Sequence, residues 1–362
     1  MAMSKFKDIT IHNFRGIDSV EVKDLGRINL FLGKNNSGKT TILESFFLLS
    51  GLSNHDLPMR INRLRSNDEG GFDRLRYLYF NADMTHIPHM DAVMDDGKVR
   101  NLEFMVKENL RMKHLQGVNT PAIPTTDDNG IAAQCLSMNF YSGVEKSNKK
   151  FMKSEVCFLN NGEIQEQKSL NYNETMSARF ITASTNALAL KDEMSALIKK
   201  NRKQEIIDLA RIFDSKINNI EVLPDALYVG FDGMEELLPI GLCGEGLKKF
   251  LYILVSAANA NRNMLLIDEI ENGIHFSIYP HLWKSIIRLA EVNDLQVVIT
   301  THNLETIAAL TSALESSDVE AAAREEVRVY TVARTAEKGL RTYRYVHKGL
   351  KNLLANKVEI RK

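Results

Sequence analysis

Four short stretches hold residues whose types and spacing suit phosphate chemistry. The first is GKNNSGKT, running Gly33, Lys34, Asn35, Asn36, Ser37, Gly38, Lys39, Thr40, with Thr41 directly behind it. Gly33 and Gly38 let successive backbone N–H groups converge on phosphate oxygens. Lys39 carries a charge to the two terminal phosphates of a nucleotide, and the Thr40 hydroxyl is a hard oxygen ligand for Mg²⁺. The second, LLIDEIENGIH, ends an apolar run on Asp268 and Glu269. A buried strand that simply reaches solvent would read the same way. Beside the first stretch, however, Asp268 is the carboxylate a phosphate-bridging Mg²⁺ needs, and Glu269 is placed to orient and deprotonate a water.

In the third stretch, VVITTHN, an apolar run delivers His302 to its end. Ligand crevices of open parallel sheets lie outside such strand ends, so His302 is expected near the same terminal phosphate. The fourth, IGLCGEGLKK, puts Gly244, Glu245 and Gly246 at a helix start. An ordinary tight loop is the plain reading. An anion site is the other, with both glycines presenting N–H groups, and since Gly33 to Thr40 already serves this chain's nucleotide it would serve a second molecule's.

These residues need strands and helices to hold them. Ile28 to Leu32 reads as a strand, and TILESFFLLSGL as a helix ending near Gly51. FKDITIHNF and SVEVKDL alternate with period two. From 52 to about 175 the pattern weakens, with strands NLEFMVKEN, CLSMNFYSG and KSEVCFLNN separated by basic, Asn-rich and Asp-rich pieces. A helical stretch through Met194 to Ile217 is too short for a long coiled-coil arm. Strands NIEVL and ALYVGF follow, then strands alternating with helices to LQVVITTHN and a hairpin of EVRVYTVAR with LRTYRYV. The expectation is an α/β fold, a P-loop NTPase head with an N-terminal β-lobe and an inserted β-rich, then helical, region. Its parts would be residues 1–51, 52–220 and 221–362.

Composition excludes several classes. The 362 residues carry 46 basic and 46 acidic side chains, so no global field draws the chain to nucleic acid or membrane. Contact with DNA or RNA would need a local patch, such as RLRSNDEGGFDRLR or NRKQ. Cys135, Cys157 and Cys243 are odd in number and far apart, which argues against a disulfide framework or zinc site and suits a reducing cytoplasm. The N-terminus has no signal-peptide apolar region, and no run approaches the roughly 20 residues of a membrane span. A soluble cytoplasmic protein without membrane contact is expected.

Taken in order, NFRG at 13–16, GKNNSGKT, GEGLKK, LLIDEIENGIH and TTHN resemble the ABC-type ATPases of the RecF and SMC group, and most of all its OLD-like branch from bacterial defence systems. The resemblance covers both ends of the chain and hardly touches 52–175. It implies ATP and Mg²⁺ bound between two heads of a homodimer, with Gly244, Glu245 and Gly246 of one head capping the γ-phosphate held by the other. It further implies Glu269 as hydrolytic carboxylate, His302 as switch histidine and Arg15 as a nucleotide contact from the N-terminal lobe. Two departures stand out: Gly244 falls where the signature usually has Ser, and no Gln lies between Thr41 and Gln116 to serve as a lid glutamine. OLD nucleases continue into a Toprim domain about where this chain ends. The resemblance therefore implies a stand-alone ATPase controlling a separate effector, a nuclease or toxin. A RecF-like DNA-repair ATPase is the alternative, and DEIENGIH in place of the transporter Asp-Glu-Pro pattern disfavours a transporter subunit.

Overall fold

The apolar runs that precede the candidate motifs become neighbouring strands of one sheet. The computed structural model describes residues 4–66, 72–113, 123–125, 131–182, 187–260, 264–317, 319–335 and 339–356. In chain order come the hairpin β1 (Phe6–Phe14) and β2 (Ile17–Val22), then β3 (Ile28–Leu32), α1 (Lys39–Leu49) and α2 (Asp56–Ser66). An antiparallel run follows: β4 (His89–Met94), β5 (Lys98–Lys113), β6 (Ile123–Pro124), β7 (Ile131–Val144), β8 (Met152–Leu159) and β9 (Ile164–Gln167). Next are β10 (Ala178–Ile181), α3 (Ala187–Lys199), α4 (Lys203–Phe213), β11 (Ile217–Val222), β12 (Leu227–Phe231), β13 (Leu238–Pro239) and α5 (Glu245–Asn259). The described chain closes with β14 (Met264–Ile267), α6 (Tyr279–Val292), β15 (Gln296–Thr301), α7 (Leu304–Glu315), α8 (Ala321–Glu325), β16 (Val327–Thr335), β17 (Gly339–Tyr345) and α9 (His347–Ala355).

The central sheet has the order β10-β14-β15-β3-β16-β17, parallel except for the antiparallel β17. Its inner strands are buried on both faces, which is why they read as unbroken apolar runs. Alternate side chains feed two cores. Leu30, Leu265, Ile267, Val297 and Ile299 pack into the cluster containing α3 to α7, while Phe31, Met264, Leu266 and Val298 enter the other. That second core also takes Ile42, Leu43, Phe46 and Phe47 of α1 and the inner face of an eight-stranded antiparallel sheet. Helix α1 thus lies between two sheets, and ten of its eleven residues are buried.

The eight-stranded sheet runs β2-β1-β4-β5-β7-β8-β9, with β6 on β5, so the N-terminal hairpin and the strands of 89–167 form one layer. Buried Arg100 of β5 joins it to the end of α1 and to the part-buried Glu174. Arg100 donates to both Glu174 oxygens at 2.8 and 2.9 Å and to Leu49 O at 2.9 Å. Asp56–Ser66, Phe72–Leu78 and Phe80–Ala82 are helical where a β-rich region was expected, and the chain re-enters the central sheet at β10, well before the expected boundary at 220. The reading of the cysteines needs correcting: Cys135 and Cys157 face each other across the β7–β8 ladder and form a disulfide, with Cα atoms 4.1 Å apart. Their distance in sequence misled because a strand pair folds 22 residues back onto register. Cys243 is free.

Candidate active site

Three parallel strands end side by side, β14, β15 and β3, and each hands its next residues to the same cleft. After β3 the loop 33–38 turns into α1. Gly38 has φ of +95°, a left-handed value that most side chains resist, and a Cβ on Gly33 would lie 2.5 Å from Val332 O. The first N–H groups of α1 have no helical acceptor and so face outward from its positive end. Lys39 folds back over the loop, donating to Gly33 O at 2.8 Å and Lys34 O at 2.7 Å. Burial lowers its pKa, opposed by the nearby charges of Asp268, Glu269 and Glu271.

Asp268, just past β14, accepts from the Thr40 hydroxyl at 3.0 Å and from the Thr300 hydroxyl at 2.6 Å. Thr300 Oγ1 also accepts from the Glu269 N–H at 2.9 Å. Glu269 has φ of +46° and lines a cleft of about 200 Å³ together with Asn35 to Thr41 and Arg65. Beneath the two acids lies Lys249 of α5, 1% exposed, donating to Thr182 O at 2.9 Å and Asp268 O at 3.3 Å. Burial brings its pKa down to about 8, against the pull of Asp268, Glu271 and Glu269. Thr40 and Asp268 offer adjacent hard oxygens, and among the described residues no cluster of three His, Cys, Asp or Glu could hold a metal unaided. That donor set fits Mg²⁺, which takes few protein ligands and completes its shell with phosphate and water.

The profile of the family described as "AAA domain, putative AbiEii toxin, Type IV TA system" matches residues 28–308, from β3 through the start of α7. The chain belongs to this family. A curated relative, "ATP/GTP phosphatase" of Helicobacter pylori (strain ATCC 700392 / 26695), is 22% identical over 347 residues, covering 86% of this chain and 89% of that protein. "DNA replication and repair protein RecF" of Geotalea uraniireducens (strain Rf4) is 34% identical over a 61-residue segment, 17% of each chain. The fold is that of the crystallised SmcHead bound to the C-winged helix domain of ScpA, with TM-score 0.50, 10% identity, and 94% of this chain and 97% of that one covered. The protein is thus an ATPase with an ABC-type P-loop head.

Within this AAA-domain head the remaining candidates fall unevenly. His302 follows β15, its N–H donating to Glu271 Oε1 at 2.8 Å and its Nδ1 3.0 Å from the same oxygen. Its side chain is 45% exposed just past the end of β15. Arg15 points elsewhere: its Nε lies 2.7 Å from Glu44 Oε2 and its NH2 donates to Asn62 at 3.0 Å. Desolvation lowers its pKa to about 10. Arg65 meets the same Glu44 at 2.7 and 2.9 Å and Thr41 Oγ1 at 3.3 Å, and Arg65 rather than Arg15 lines the cleft.

Gly244, Glu245 and Gly246 begin α5 as expected, but the two glycines differ. A Cβ on Gly244 meets nothing within 4 Å, whereas one on Gly246 would lie 2.6 Å from Gly273 O and 3.3 Å from Phe213. Only Gly244 and Glu245 stand open to a second molecule. Gly246 is small so that α5 can pack on the turn after Glu269. Thr300, Glu271, Lys249 and Arg65 were missed in the sequence. All four sit inside stretches already noted, and for Thr300 and Lys249 a polar residue beside an apolar run was the available signal.

Proposed function

We propose that two copies of this chain close on ATP at composite sites, hydrolyse it slowly, and use closure to hold or release a separate effector protein, a toxin or nuclease, in anti-phage defence. One observation carries the reading. Glu269 faces the P-loop cleft of its own chain, while the start of α5 is open at Gly244, where an added Cβ would meet nothing within 4 Å. Mg²⁺ held by Thr40 and Asp268 would offset the charge on the terminal phosphates. Lys39 then binds those phosphates, Glu269 takes the proton of the attacking water, and His302, anchored on Glu271, borders the γ-phosphate. The toxin named in the family description and the fold shared with a head that binds a partner protein favour effector control. The RecF segment favours a second reading, direct DNA binding in repair, which salt-dependent retention of the purified protein on duplex DNA would reveal.

The composite site is tested by mixing two inactive proteins. Gly244→Asp puts a negative charge where a partner's phosphate would lie, without a steric clash in its own chain. Glu269→Gln removes the base. In a heterodimer both lesions fall in one site and the other is intact, so ATP hydrolysis returns. A mixture that stays inactive while native mass spectrometry detects heterodimers rejects the composite site.

A further inference from the structure

The peptide that joins the two acids is gripped from both sides by buried side chains. Its N–H, on Glu269, donates to Thr300 Oγ1 at 2.9 Å, and its C=O, on Asp268, accepts from Lys249 Nζ at 3.3 Å. Thr300 is 0% and Lys249 1% exposed. The flanking amides are also taken: Asp268 N–H by Ile181 O at 2.8 Å and Ile270 N–H by Thr300 O at 3.2 Å. Glu269 itself holds a left-handed φ of +46°, a conformation that persists for a long side chain only when its surroundings over-determine it.

Neither polar group is explained by the fold alone. Position 300 lies in a fully buried strand, where Val has the same shape and a better strand propensity. Position 249 lies on a helix packed in the apolar core, where a lysine is rarely tolerated unless its ammonium is paired. Both residues reach the one peptide whose orientation sets where the Glu269 side chain leaves the backbone. Lys249 brings that contact from the helix that starts at Gly244.

We propose that Lys249 and Thr300 are positioning residues that clamp the Asp268–Glu269 peptide and so aim the Glu269 carboxylate at the P-loop cleft. The inference rests on the proposed role of Glu269 as base. A misaimed base costs turnover without costing nucleotide binding, on the order of 10- to 100-fold for a displacement near 1 Å.

The experiment measures steady-state phosphate release and calorimetric ATP affinity for Thr300→Val and Lys249→Met, each alone and combined with Glu269→Gln, with thermal unfolding to verify folding. Each single variant is expected to lower kcat roughly 10- to 100-fold with ATP affinity changed by less than about threefold. Thr300→Ser should recover activity. Because Thr300 also touches Asp268, the Mg²⁺ concentration for half-maximal rate is measured too and is expected to stay put. In the Glu269→Gln background neither substitution should lower the residual rate further, since the group they aim is already gone. Losses that multiply in that background, a raised Mg²⁺ requirement that accounts for the loss, or wild-type kcat in both single variants would overturn the proposal. If Lys249→Met does not fold, the shape-preserving Thr300→Val decides. Glu269→Gln alone reports separately on the base: if it hydrolyses ATP like wild type, the reading of the site itself falls, and the clamp with it.

Discussion

Every residue of β3 and β15 in the central sheet is buried, whereas β1 and β4 of the eight-stranded sheet alternate buried and partly exposed positions. Both sheets carry polar, titratable side chains, but they place them differently. A strand covered on both faces has little room for charge along its length, so Asp268, Glu269 and His302 follow just past the strand ends, where Asp268 meets Thr40 and Glu269 lines one cleft with the P-loop. A strand with one face in solvent spreads its polar residues over that face. There His89 meets Asp91 at 2.6 Å and lies 3.3 Å from Glu103, so the group pairs within its own sheet. Parallel pairing concentrates chemistry, and antiparallel pairing disperses it.

The largest expected effect is on the concentrated side. Lys39→Ala removes the charge that bridges the loop and should weaken ATP binding by about 2–4 kcal/mol, with little change in thermal stability. Calorimetry showing wild-type affinity would mean that the convergence at the strand ends is not a nucleotide site.

On the dispersed side the expected loss is stability, with turnover retained. Arg100→Met leaves the part-buried Glu174 without its cation and should cost about 2–3 kcal/mol in denaturant unfolding. ATP turnover per folded molecule should stay within about threefold, the scale of a change that leaves the site's contacts intact. A turnover loss well beyond that would blur the distinction between the sheets.

A finer contrast separates two glycines of one motif. Gly246→Ala forces a Cβ against Gly273 O and should cost about 1–2 kcal/mol, whereas Gly244→Ala should change stability by no more than about 0.5 kcal/mol. Equal melting temperatures for the two variants would contradict the close packing of α5 on the turn after Glu269.

The smallest effect concerns His89, whose pKa is raised above the ordinary 6.5 by its hydrogen bond to Asp91, against partial burial and with help from the charges of Asp91 and Glu103. Because the folded state binds the proton more tightly, this contribution to stability is fully present below 6.5 and disappears as pH rises through the folded value. An NMR titration of the imidazole should give a midpoint above the ordinary value, and Asp91→Asn should lower it. A midpoint at or below 6.5 would remove His89 from this account.

Much of this protein was legible residue by residue. The apolar runs at 28–32, 264–267 and 296–301 marked strands because doubly buried strands admit few polar residues, and GKNNSGKT named its own turn because Gly38 needs a positive φ. Period-two alternation likewise marked β1 and β2, and the strands expected at NLEFMVKEN, CLSMNFYSG and KSEVCFLNN fall within β5, β7 and β8 and the turn after β8. The helices of 56–66 and 72–78 were not legible, since short polar segments carry little periodicity. Strand β10 escaped because four residues are too few for a pattern.

Local chemistry, then, is what the sequence determined by itself: which residues could touch a phosphate, which could hold Mg²⁺, and which strand would deliver them. Tertiary structure alone decided the partners. It joined Cys135 to Cys157, turned Arg15 onto Glu44 and left Arg65 at the cleft, and it closed Gly246 against Gly273 while leaving Gly244 open. The reason is physical. Backbone preference and burial act within a few residues and leave a trace in the local pattern, whereas a contact between residues tens or hundreds apart depends on sheet order and register, which neither residue encodes on its own.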